Sequence, residues 1–268
     1  MLRLYISLFI LIIFSNSVDA QDKSVRYALV IGNQNYLKAP LRNSLNDATS
    51  IAENLTALNF NVTLLTDVGY ERLSQKIESF YQNIHRNKDK KAIVLFYYAG
   101  HAIQISHRNY LVPLDVKFGD PKYFMASLYD INKLFSNIPK QFGLQNIIIL
   151  DACRDNPFKE QGNEDGTEDL MITDGLAPLR APMETLIAYS TEPGSVASDG
   201  KGKNGIYTKY LLNFIQEMIP IEEVFKKVRK SVAKETGNRQ IPWEHSSLLE
   251  DVFINPPTNS DVPPLISF

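Results

Sequence analysis

The sequence of 268 residues contains a single cysteine, Cys153. One cysteine excludes an intramolecular disulfide and any cysteine-rich zinc site. Histidine is nearly as scarce, with four copies and no HExxH spacing. Charge imbalance is also missing. Lys+Arg is 28 against 30 for Asp+Glu, giving a formal net charge of −2 and no basic run. That excludes a strongly basic nucleic-acid binder. No GxSxG and no EF-hand spacing occurs. A cysteine-phosphatase loop needs Arg where Lys159 stands, and Gly194 to Lys201 is too long for a P-loop, with Gly202 where Ser or Thr belongs. What remains is ordinary globular material, 44% hydrophobic and 22% charged, which excludes disorder, collagen and coiled coil.

An almost unbroken apolar run stands at the start. Arg3 precedes Leu4 to Phe14, and Val18-Asp19-Ala20 leads into Gln21. Short side chains at those positions suit signal peptidase, and the run is about half of the roughly 20 residues that span a bilayer. The expectation is a cleaved signal peptide over residues 1–20, a domain over 21–254 and a Pro-rich tail over 255–268. The mature protein is then secreted or periplasmic, with no membrane association after signal removal. An uncleaved anchor is the alternative.

The rest alternates apolar runs with amphipathic stretches. Val25–Ile31, Val62–Leu65, Ala92–Tyr98, Asn146–Leu150 and Thr185–Tyr189 read as strands. Ile103–Ile105 and Tyr110–Val112 read as a small hairpin. Helical spacing links Leu45, Ala48, Ala52, Leu55 and Leu58, with Asn43 or Ser44 as the cap. It links Leu73, Ile77, Phe80, Tyr81 and Ile84, and again Leu128, Ile131, Leu134, Phe135 and Ile138. Two further stripes run through Tyr207, Leu211, Ile215 and Met218, and through Ile221, Val224, Phe225, Val228 and Val232. The predicted class is α/β, a mostly parallel central sheet with helices on both faces. Asp155–Glu184 breaks the rhythm as an acidic loop between two parts of the domain, and its middle, Gln161 to Asp169, with four acidic residues and no apolar one, is predicted to be solvated.

Ligands of such a sheet bind at the carboxyl ends of its strands. His101 is expected just past the third strand and Cys153 just past the fourth, with Asp151 two residues before it and Asp47 in the first turn of the first helix. An imidazole draws a thiol toward thiolate and later protonates the leaving group, so His101 and Cys153 form a candidate base–nucleophile pair. Each alone also fits a blander role, a buried structural thiol or a core histidine. Their arrival at adjacent strand ends favours catalysis. His85, His107 and His245 read as surface residues.

Several segments then carry a resemblance. Tyr27-Ala28-Leu29-Val30-Ile31-Gly32-Asn33, Asn46-Asp47-Ala48, Tyr97-Tyr98-Ala99-Gly100-His101 and Asp151-Ala152-Cys153-Arg154-Asp155-Asn156-Pro157-Phe158 resemble the caspase-like cysteine peptidases of family C14. The last of these is especially similar to the bacterial orthocaspase and metacaspase-like branch. Thr185 to Thr191, Asn204-Gly205-Ile206-Tyr207-Thr208 and Gln240-Ile241-Pro242-Trp243 fit the same branch.

The resemblance implies a caspase–haemoglobinase fold and an endopeptidase cleaving after Arg or Lys. The dyad maps to His101 and Cys153, and the oxyanion donors to the backbone N–H of Cys153 and Ala102. The family usually has Gly at the latter position, and Ala there is strained if φ must be positive. The basic-residue pocket maps to Asp47, Asp151, Ser44 and Ala99. Paired carboxylates suit a guanidinium. Lys159 and Arg180 are candidates for self-cleavage within the 155–184 loop, against a permanent surface loop. No cofactor is expected. Calcium is possible but unsupported, with Asp120, Asp130 and Glu160 as scattered acids. The Ser195–Asn204 loop is expected to border the cleft. The alternative function is a catalytically silent caspase-like binding or scaffold domain, which the Ala at 102 favours and the intact His101 and Cys153 oppose. A thiol redox sensor is disfavoured because no resolving cysteine exists.

Overall fold

The computed structural model of the chain describes residues 24–87, 91–138, 143–153, 170–173, 175–192 and 202–257. In chain order the elements are β1 (Val25–Gly32), α1 (Ser44–Ala57), β2 (Asn61–Thr66), α2 (Tyr70–Asn87), β3 (Ala92–Ile105), β4 (Arg108–Leu111), α3 (Pro121–Ala126), β5 (Tyr129–Asp130), α4 (Ile131–Asn137), β6 (Leu144–Cys153), β7 (Ile172–Thr173), β8 (Thr185–Tyr189), α5 (Ile206–Phe214), α6 (Ile221–Thr236) and β9 (Trp243–Ser246).

The main sheet runs β2-β1-β3-β6-β8-β9. All its pairs are parallel except β8–β9. Its central strands β3 and β8 are buried along their whole length, and the central strands read as largely apolar runs because both faces are covered. Leu29 and Ile31 of β1 join Val94, Phe96 and the α2 stripe in one core cluster. Ala28 and Val30 join Leu95, Tyr97 and helices α1, α5 and α6 in a second. The α2 stripe of Leu73, Ile77, Phe80, Tyr81 and Ile84 is buried as its spacing requires.

In α1 the buried face is Ser44, Asp47, Ala48, Ile51, Ala52 and Leu55. Leu45 and Leu58, expected in the stripe, are only partly buried. The helix has rolled so that polar Ser44 and Asp47 face inward. Gly32 permits this: a Cβ there would meet the Ser44 carbonyl oxygen at 2.6 Å and the Ala48 Cβ at 2.7 Å.

Several expectations need correction. The third strand does not stop near Tyr98. It continues through His101 to Ile105, because its last residues find a new partner in β4, pairing Ala102 with Leu111 through Ile105 with Arg108. The hairpin is therefore the end of β3 itself. Leu128 lies outside the third predicted helix, which is the short α4. Asp130 restarts the chain there by accepting from the Asn132 N–H at 2.9 Å. The short helix α3, capped by Asp120, was not foreseen. Met218 lies beyond the end of α5 and is 44% exposed.

Beyond its acidic middle, the stretch 155–184 carries regular and buried structure. Its described part includes β7, antiparallel to the end of β3, and buried Leu176 and Ala177. The Asn109 side chain clamps Ala177, donating to its carbonyl at 2.7 Å and accepting its N–H at 2.8 Å. Residues 1–20, Lys159, Glu160, the acidic stretch 161–169, most of the 195–204 loop and the tail beyond residue 257 lie outside the described residues. Among the described residues no helix is long and apolar enough to cross a membrane.

Candidate active site

The parallel ladder of β3 and β6 ends on one pair of residues. Ala99 is opposite Asp151, Gly100 opposite Ala152 and His101 opposite Cys153. Neighbouring strands lie about 4.8 Å apart. The fold therefore brings the single cysteine beside one particular histidine of the four. Both sit a little earlier in the architecture than expected: His101 is inside β3, and Cys153 is the last residue of β6. His85, His107 and His245 are exposed.

His101 is 3% exposed. Its Nε2 lies 2.6 Å from the carbonyl oxygen of Ala39. A carbonyl only accepts, so this contact puts the proton on Nε2 and makes Nδ1 the basic nitrogen of the neutral ring. Burial pushes the imidazolium below its ordinary value, and the Ala39 carbonyl partly offsets this.

Tyr36 fixes the same residue from two sides. Its ring packs on the imidazole with centroids 4.5 Å apart, and its hydroxyl accepts the His101 N–H at 3.0 Å. The Tyr98 hydroxyl donates to the His101 carbonyl at 3.0 Å. Gly100 leaves room for both phenols, since a Cβ there would fall 2.7 Å from each hydroxyl oxygen. The loop carrying Tyr36 and Ala39 is tied down by Asp67, which accepts from the N–H groups of Gln34 at 2.8 Å and Asn35 at 3.1 Å.

Ala102 is fully buried and is not among the non-glycine residues of positive φ. The feared strain is absent. Ala99 accepts the Asn33 N–H on the β1 side, and His101 accepts the Val112 N–H on the β4 side. Alternation along the strand therefore turns the N–H of Ala102 to the opposite side, toward the end of β6.

The four predicted pocket residues come together on the face shared by α1 and α5. Ser44, Asp47 and Ala99 are buried and Asp151 is partly buried. Asp47 Oδ1 accepts from the Asn204 side chain at 2.9 Å and from the Gly205 N–H at 3.0 Å. Asp151 Oδ2 accepts from the Thr208 hydroxyl at 2.6 Å and from the Tyr97 hydroxyl at 3.2 Å. Tyr97 and Thr208 oxygens are 2.7 Å apart. Each hydroxyl has one proton, so the two short contacts describe a relay from Tyr97 to Thr208 to Asp151. Burial, then Asp151, then Asp47, raises the Tyr97 phenol well above its usual value, which keeps it a donor.

Sequence reasoning missed Tyr36, Ala39, Tyr97, Asn204, Gly205 and Thr208 as site residues. Tyr97, Asn204, Gly205 and Thr208 stood within quoted motifs, but nothing in the motifs assigned them a role. Arg180 is exposed, between Leu179 and Ala181, which pack against the core. Asp120 and Asp130 cap α3 and α4. Among the described residues no group of three or more His, Cys, Asp or Glu side chains is placed to hold a metal.

This sheet order, with histidine and cysteine on neighbouring strand ends, defines a class: an α/β domain of caspase-like fold. The sequence profile of the Peptidase_C14 family, the caspase domain, matches residues 25–254, and the chain belongs to that family. Human mucosa-associated lymphoid tissue lymphoma translocation protein 1 is 28% identical over 244 residues, covering 89% of this chain and 27% of that protein. The mouse homologue gives the same figures. The chain thus spans about a quarter of the curated relatives it matches. The Drosophila initiator caspase Dronc superposes with a TM-score of 0.61 at 13% identity, covering 86% of this chain and 83% of that one.

Proposed function

We propose that this caspase-domain protein is an exported endopeptidase of the orthocaspase and metacaspase-like branch that cleaves peptide bonds after Arg or Lys. The observation that carries the chemistry is the register pairing of His101 with Cys153, with the proton of the ring committed to Ala39. In this reading Nδ1 of His101 takes the thiol proton as the sulfur attacks the carbonyl carbon of the substrate. The N–H groups of Ala102 and Cys153 hold the developing oxyanion. The imidazolium then gives its proton to the departing amine, and water hydrolyses the thioester to regenerate the thiol. Substrate is a peptide or protein; no metal or cofactor enters any step.

The paired carboxylates of Asp47 and Asp151 support the basic-residue preference. A guanidinium between them forms charge-assisted hydrogen bonds to both. Ser44 and Ala99 are small walls of the same pocket. Export follows from cleavage after Ala20, which releases the chain to the periplasm or the medium. Self-processing at Lys159 or Arg180 follows from the same specificity. The ordinary φ of Ala102 supports a working enzyme over a silent scaffold.

The test is a panel of fluorogenic peptides ending in Arg, Lys or Asp, offered to the protein and to Cys153→Ala. Arg and Lys peptides are expected to be cut by the wild type alone. Cleavage only after Asp overturns the pocket, and full activity in Cys153→Ala overturns the nucleophile.

A further inference from the structure

Two carboxylates held near one another in a partly desolvated pocket repel each other, so something must fix them charged and aimed. Here one segment reaches both. Asn204 and Gly205, which precede α5, donate to Asp47, while Thr208, in the first turn of α5, donates to Asp151. The two carboxylates come from opposite sides of the pocket, α1 and β6, and are met by one short segment, residues 204–208, at the start of α5. The N-terminal end of α5 also presents the positive end of its dipole there.

We infer that Thr208 is a specificity-determining positioning residue, which holds the Asp151 carboxylate in the orientation that receives a basic side chain, with Asn204 doing the same for Asp47. Thr208 touches no reacting atom. It acts through Asp151 Oδ2 at 2.6 Å and is itself oriented by the Tyr97 hydroxyl at 2.7 Å. A β-branched residue suits the task. Its restricted χ1 keeps the hydroxyl in one direction, and Thr208 is fully buried. Gly205 is part of the same device, because a Cβ there would stand 3.2 Å from Asp47 Oδ2. The inference rests on the basic-residue pocket proposed above.

The experiment compares Arg and citrulline peptides of identical sequence in the wild type, Thr208→Val, Thr208→Ser and Asn204→Ala. Citrulline keeps the shape of Arg without its charge. Thr208→Val is expected to lower kcat/KM for the Arg peptide about tenfold, mostly through KM, and to collapse the Arg-to-citrulline ratio. Thr208→Ser restores both to within about twofold, and Asn204→Ala, on a half-buried loop residue, lowers the ratio about threefold. In an Asp151→Asn background, Thr208→Val adds less than about a twofold loss, because both changes remove one interaction.

If Arg and citrulline peptides decline in proportion in both Thr208→Val and Asn204→Ala, the role is merely structural and the inference falls. Additive losses in the double variant also defeat it. A wild type that prefers citrulline, or cuts neither peptide after the basic position, removes the pocket reading beneath it, an outcome visible before any Thr208 variant is made.

Discussion

His101 donates through Nε2 to the carbonyl oxygen of Ala39 at 2.6 Å, and Ala39 lies at φ 54°, in the left-handed region. A residue held in that region aims a carbonyl that an ordinary extended loop would point elsewhere.

Ala39→Pro locks φ near −65° and swings that carbonyl away. It is expected to reduce kcat about a hundredfold. Ala39→Gly adopts the native φ freely and is expected to stay within about twofold of wild type. Steady-state kinetics on an Arg peptide, with circular dichroism as the folding control, decide it. Wild-type kcat in the proline variant removes Ala39 from the site.

Burial holds the His101 imidazolium below its ordinary value. The acid limb of kcat/KM is therefore expected below pH about 6.5, with activity retained as pH falls to that point. The same shift has a stability consequence. The unfolded chain takes up a proton at about 6.5 that the folded chain refuses, so this contribution is complete above that pH and is lost as pH falls through the folded value. Urea midpoints measured against pH are expected to fall on the acid side in the wild type and to fall less in His101→Gln. Equal slopes contradict the assignment.

Gly32→Ala tests how α1 is seated. The added Cβ meets backbone, the Ser44 carbonyl oxygen at 2.6 Å, and cannot be accommodated by rotating a side chain. The expected loss is about 1–3 kcal/mol of stability, read from urea unfolding. Weaker Arg-peptide binding should accompany it, because the displaced helix carries Ser44 and Asp47. A stability change within error shows that the helix tolerates the shift.

Asp47→Asn and Asp151→Asn preserve shape and remove one charge each. Each is expected to lower kcat/KM for Arg and Lys peptides about a hundredfold, in line with breaking a desolvated charge pair. Peptides ending in Asp are not expected to become substrates. Retained selectivity in both variants places the pocket elsewhere.

Arg180 is exposed, but Leu179 and Ala181 on either side pack against the core, and the Leu179 N–H donates to the Tyr189 hydroxyl at 3.2 Å. A scissile segment must leave the body of the protein and extend into the cleft, so cutting at Arg180 requires local opening. Self-processing is therefore expected to persist in Arg180→Gln and to be blocked in Lys159→Gln, as judged by intact-mass measurement. The reverse pattern overturns this order.

Much of the fold was legible. Thr185–Tyr189 announces itself because a strand buried on both faces is a short, continuous apolar run bounded by polar residues. The α2 stripe announces itself because an amphipathic helix repeats its apolar residues at helical spacing. Strand β9 was not legible. Trp243, Glu244, His245 and Ser246 carry no apolar alternation, and they become a strand only because β8 offers an open edge. The continuation of β3 past Tyr98 was legible only in part: the hairpin with β4 follows it directly in the chain, but its second partner there, β7, is supplied by a distant segment. The site divided similarly. His101, Asp47 and Asp151 were found from their places at strand and helix ends. Ala39 acts through its backbone carbonyl, and Thr208 through a residue more than fifty positions away, so neither leaves a chemical trace in its own neighbourhood.

The chain's own residue types determined that there is one thiol, four histidines and a pattern of apolar runs that builds a parallel sheet. Those follow from composition and local periodicity, which need no knowledge of the partner strand. Only the tertiary structure decided that His101 stands opposite Cys153, that Ala39 fixes the ring's proton, and that Gly205 and Thr208, at the start of α5, reach Asp47 and Asp151 together. Register and helix seating are set by the joint packing of segments far apart in the chain, and no single segment contains that information.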